Sequence, residues 1–128
     1  MYSEILKQGL AKICVDKKGV LTEFQKVIST INNEIKSTIG IELEISDDGH
    51  GIANSKRVFM YAIKVKHSSG VSRKLIAKVA TVKNKFPVIV NYGDVEFQID
   101  NYQELPGLFK EMLSNDAVLI AIHKIIEN

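Results

Sequence analysis

RVFMYAIKVKHSSGVSRKLIAKVATV, residues 57–82, decides the fold. Its first half alternates. Phe59, Tyr61, Ile63 and Val65 have one parity, and Val58, Met60, Ala62, Lys64 and Lys66 the other. A period of two residues is that of a strand, whose successive side chains leave opposite faces of a sheet. Ser68-Ser69-Gly70 then reads as a tight turn. Beyond it, Leu75, Ile76, Val79 and Val82 would also suit one face of a helix. The flanking turn signals and the β-branched residues decide for a strand over 73–82. On that parity Leu75, Ala77 and Val79 face the core, and Lys74, Ile76, Lys78 and Ala80 face outward.

Upstream of this hairpin, residues 41–45 alternate and place Glu42 and Glu44 outward. Asp47-Asp48-Gly49-His50-Gly51 has turn composition and predicts a loop running to about residue 55. Before it, Val20, Leu21, Phe24, Val27, Ile28, Ile31 and Ile35 recur at helical spacing, so a helix is predicted over 20–38 with Gly40 as its stop. A shorter helix opens at Ser3, with Ile5, Leu6, Leu10, Ile13 and Cys14 on one side. Asp16-Lys17-Lys18-Gly19 reads as the turn between the two.

Downstream, Asn84-Lys85-Phe86-Pro87 predicts a bend, and short strands follow over 88–90 and 95–99. Asn101 with Glu104 three residues on is a capping box, and Pro106 falls in the first helical turn, where a missing N–H does least harm. Leu105, Leu108, Phe109, Met112 and Leu113 form one apolar stripe, and Val118, Leu119, Ile122, Ile125 and Ile126 another. The expected architecture is a single α+β domain over 1–128. An antiparallel meander of about five strands is flanked by two N-terminal and two C-terminal helices.

Charge is unevenly distributed along this order. Residues 49–93 carry nine Lys and Arg and no acid, while the rest carries eight basic and fifteen acidic residues, so a net charge of +2 hides a basic middle. The single cysteine, Cys14, excludes an intramolecular disulfide and fits a reducing compartment; on the apolar side of a helix it reads as a core thiol. No apolar run reaches the length of a signal peptide core or a membrane span, so a cytoplasmic protein is expected.

The basic middle carries the functional expectation. Lys64, Lys66, Lys74 and Lys78 would share the outward face of two paired strands. Met60 and Ile76, with Val58 and Val82, would lie among them as an apolar patch. Such a face suits a protein partner, either an acidic one or a second copy of this chain. The expected function is therefore a non-enzymatic adaptor, accessory or inhibitor domain. The alternative is nucleic-acid or polyanion binding through 56–85, against which Phe59 and Tyr61 point inward and offer no base-stacking platform. The blander reading is that Glu42, Glu44 and Glu96 pair with the lysines across strands.

Catalytic chemistry has little to stand on. Asp47, Asp48 and His50 offer metal-ligand atoms in one loop but too few for a closed site, and no cofactor is implied. Ser68-Ser69-Gly70 lacks the flanks of a nucleophile elbow, and Gly49-His50-Gly51 is no phosphate loop.

Overall fold

The computed structural model describes residues 2–53, 55–82 and 84–127, and the side chains of these except 9–18 and 53. The chain forms helix α1 (Tyr2–Thr38), strands β1 (Ile41–Ala53), β2 (Lys56–His67), β3 (Arg73–Thr81), β4 (Val88–Tyr92) and β5 (Val95–Ile99), and helices α2 (Leu105–Met112) and α3 (Asp116–Glu127). A single 3-10 turn, Tyr102–Glu104, precedes α2. The fold is α+β, and the five strands make an antiparallel sheet in the order β1-β2-β3-β4-β5. Each strand is therefore a neighbour of the one before it, as short connections require.

The core is one face of this sheet covered by helices. Val20, Phe24 and Ile28 of α1, Leu105, Leu108, Phe109 and Met112 of α2, and Val118, Ala121 and Ile125 of α3 pack with the inward residues of the strands. Those are Ile41, Leu43, Tyr61, Ile63, Val65, Val79, Val88, Val90, Tyr92 and Ile99. Phe24 and Phe109 meet edge to face across the two helices, with ring centroids 6.1 Å apart. In α3 the buried side is Val118, Ala121 and Ile125, whereas Leu119 and Ile126 of the expected stripe stay exposed.

Four sequence expectations are corrected. First, the turn at 16–19 does not form, and the helical segments on either side run together as α1. Asp and Lys are tolerated in a helix, and Gly19 alone, at a cost of about 1 kcal/mol, does not end one. Cys14, Leu10 and Ile13 lie outside the described side chains. The stop at the other end is as expected. Gly40 takes φ 79°, and its N–H and that of Ile39 both donate to the Ile35 carbonyl, at 3.2 and 2.8 Å.

Second, the loop expected over 47–55 is mostly strand. β1 continues to Ala53, and Asp48 and Gly49 bulge from it between the pairs Asp47↔Tyr61 and His50↔Phe59. Gly49 supplies φ 91°, and its N–H donates to Asp47 Oδ1 at 2.8 Å. The Asp-Gly chemistry that suggested a chain reversal instead builds a bulge.

Third, the parity of β3 changes part-way along. Ile63 pairs with Ala77, but its neighbour Lys64 pairs with Leu75, so Ile76 is an extra residue in the ladder. A bulge of this kind puts two consecutive residues opposite one and shifts the alternation by one. Ile76 (5% exposed) thus joins Ala77 in the core, and Leu75 (44% exposed) turns outward. Fourth, and for the same reason, Lys74 stands opposite Val65, on the helix-side parity, and Arg73 stands opposite Lys66.

Candidate functional site

The helices leave the other face of the sheet uncovered, and the strand registers order its side chains into rows. At one end Glu42, Lys66 and Arg73 lie side by side, followed by Glu44, Lys64 and Leu75. The third row is Ser46, Ala62, Lys78, Asn91 and Glu96. The fourth is Met60, Ala80, Ile89 and Gln98. Charge is concentrated in the first three rows and apolar surface in the fourth and beyond.

At the charged end the carboxylates are engaged. Lys66 Nζ lies 3.0 Å from Glu42, its directly opposed neighbour, and Lys36 of α1 reaches the same carboxylate at 3.9 Å. The Arg73 guanidinium crosses above β2 to hydrogen-bond Glu44 and also donates to the Val71 carbonyl at 2.9 Å. Cross-strand ion pairs of this kind contribute up to about 1 kcal/mol each. No ion pair among the described residues includes Lys56, Lys64, Lys74 or Lys78.

At the apolar end a groove of about 510 Å³ opens on the uncovered face. Val58, Ala80, Val82, Pro87 and Ile89 line it, with Lys56, Asn91, Glu96 and Gln98 on its rim. Val58 is only 7% exposed, so part of this surface is recessed, while Val82 remains open. Sheet faces that meet water ordinarily alternate to polar residues. This one does so in its first three rows and then ceases to.

The structure therefore keeps Lys64, Lys78 and Met60 of the expected patch on the uncovered face. Lys66 is there too, bonded to Glu42. Lys74 and Ile76 are not brought to it. What sequence parity missed is the contribution of β4 and β5. The run Val88-Ile89-Val90 is apolar throughout, and its pairing with Ala80 and Gln98 shows that Ile89 faces away from the helices.

The aromatic residues of β2 stay inside. Phe59 is buried, with the His50 ring edge-on at 4.8 Å and the Arg57 guanidinium 5.7 Å from its centroid. Tyr61 is fully buried, and its hydroxyl donates to Asn84 Oδ1 at 2.6 Å. Burial first, and the nearby Asp47 charge second, push the Tyr61 hydroxyl well above the ordinary tyrosine value. Among the described residues no group of three or more His, Cys, Asp or Glu is placed to hold a metal ion. None of the described helices is long and apolar enough to cross a membrane.

A scan against protein-family models finds no match for this chain, and searches of curated proteins and of solved structures find none.

Proposed function

We propose that this chain is a protein-binding domain that uses the uncovered sheet face, and that its partner presents apolar side chains next to carboxylates. The observation that carries this reading is the groove lined by Val58, Ala80 and Ile89 with unpaired lysines nearby: Lys56 in its lining, Lys78 in the adjoining row and Lys64 in the row beyond that. Water in contact with an apolar floor is released when a partner fills it, which supplies the drive for association. The lysines contribute orientation and rate of encounter more than affinity. Lys66 and Arg73 contribute less, because Glu42 and Glu44 already neutralise them.

The test compares three variants in affinity capture followed by identification of the captured protein. Ile89→Asp should abolish capture by placing a charge in the apolar floor, and Lys64→Glu with Lys78→Glu should weaken it at least tenfold. Lys66→Glu should matter less to capture. Capture that survives Ile89→Asp sinks the reading. Retention on DNA at about 50 mM salt that is lost in the lysine double variant but kept in Ile89→Asp would assign the face to a polyanion instead.

A further inference from the structure

The two edges of the sheet are finished differently. On β1 the open backbone groups of Leu43 are taken by α1. Asn32 Nδ2 donates to the Leu43 carbonyl at 2.9 Å, and the Leu43 N–H donates to Asn32 Oδ1 at 2.8 Å. β5 has no such cover. Its hairpin with β4 closes on the pair Tyr92↔Val95 across the two-residue turn Gly93-Asp94, with Gly93 at φ 58°. In hairpins of this length the residues flanking the turn exchange both N–H···O bonds, and the pattern then alternates. Phe97 and Ile99 accordingly bond to Val90 and Val88. The N–H and C=O groups of Glu96 and Gln98 point to the open side. No hydrogen bond from another described group satisfies these four atoms. Phe97 stands between them, 41% exposed although it shares the helix-side face with the buried Val90.

Charge selects the occupant. Residues 86–109 hold Asp94, Glu96, Asp100 and Glu104 and no Lys or Arg. If two copies paired β5 to β5 about Phe97, Asp94 of each would stand opposite Asp100 of the other. Like charges directly opposed on adjacent strands are unfavourable. The same carboxylates attract a strand that carries cations. We infer that the β5 edge accepts a sixth strand from a partner segment that is extended and alternates Lys or Arg with apolar residues. Main-chain hydrogen bonds to Glu96 and Gln98 would hold it, and its apolar side chains would cover Phe97. The edge adjoins the groove, whose lining includes Glu96 and Gln98, but the inference rests on the open backbone of β5 and its charge and not on the function proposed above.

The probe is a capped seven-residue peptide of alternating lysine and valine, with a glutamate–valine peptide as its counterpart, titrated into the isotope-labelled full chain. The expected result is that the amide resonances of Glu96 and Gln98 shift and their hydrogen exchange slows about tenfold with the cationic peptide only. Gln98→Pro removes an outward N–H without touching the β4 ladder and should abolish the response. Should that variant fail to fold, Glu96→Lys should transfer the preference toward the acidic peptide. No response at Glu96 and Gln98 at millimolar peptide overturns the inference. So does an equal response to both peptides, or protection of these amides in the free chain through pairing with a second copy.

Discussion

Asn32 and Leu43 are joined by two hydrogen bonds, one through each end of the Asn32 amide, 2.8 and 2.9 Å long. A side chain on α1 thereby does for the edge strand what a sixth strand would do. Exposed edges template association, and sealing one with a helix is a recurrent defence. Asn32→Leu keeps the volume and removes both bonds. The expected outcome is a loss of about 1–3 kcal/mol in urea unfolding, since two half-buried backbone groups lose their partner. Light scattering should also show stronger concentration-dependent association than in the parent chain.

The bulge at Ile76 makes a prediction opposite to simple alternation. Ile76→Ala should cost about 2–5 kcal/mol, because the side chain sits in the core beside Ala77. Leu75→Ala should cost under about 1 kcal/mol, because Leu75 is on the uncovered face. Chemical denaturation of the two variants checks the register. Equal costs, or the reverse order, would contradict the bulge.

Tyr61 and Asn84 form a buried pair whose other amide atom, Asn84 Nδ2, has no hydrogen-bond partner among the described residues. Removing the tyrosine hydroxyl leaves Asn84 Oδ1 without its donor as well. Tyr61→Phe should therefore destabilise the chain by about 1–3 kcal/mol despite adding apolar character. Tyr61, together with Tyr92, also sets a pH dependence. Tyr61 and Tyr92 both hold their protons above the ordinary tyrosine value of 10.0, through burial first and then the charges of Asp47 and Glu111 respectively. The unfolded chain gives up these protons at lower pH than the folded one. Their contribution is therefore fully present below pH 10 and is lost as pH rises above it. Thermal unfolding from pH 8 to 11 should show that fall, and Tyr61→Phe should make it shallower.

Gly93 fits against the start of α3 with no room to spare. A Cβ there would lie 2.8 Å from Asn115 Oδ1 and 3.2 Å from the Ala117 Cβ. Asn115 Oδ1 is the acceptor that caps α3, receiving the N–H groups of Ala117 at 3.0 Å and Val118 at 3.3 Å. Gly93→Ala strains a backbone at φ 58° and displaces the cap together. Its cost should exceed that of Asn115→Ala, about 1 kcal/mol for the lost cap alone. Calorimetry of both variants measures the difference.

How much of this was legible in the sequence divides along physical lines. The strand alternation of Phe59 to Val65, the helical stripe from Val20 to Ile35, the Gly40 stop and the Asn101–Glu104 capping box are local. Each is set by backbone geometry over a few residues, and each is found where expected. They determined the α+β class and the order of the meander. That outward carboxylates of β1 would meet lysines across the strands was also readable from alternation, whereas the match of Glu42 to Lys66 follows from the register.

What required the tertiary structure were the two bulges and the membership of the uncovered face. A one-residue slip in a ladder costs little locally but exchanges the two faces of everything beyond it. Nothing within 73–82 says whether Leu75 or Ile76 should be buried, since both are apolar. The choice is made by what lies above them, where α3 packs on β2 and β3. That choice removed Lys74 and Ile76 from the expected patch. In the same way Ile89 became part of the groove because β4 pairs in one register with β3, a fact held by partners distant in sequence. The sequence by itself determined which segments pair and where charge accumulates. Only the packed sheet decided which side chains stand together on its open face, because facing is a property of register and register is set by contacts between elements.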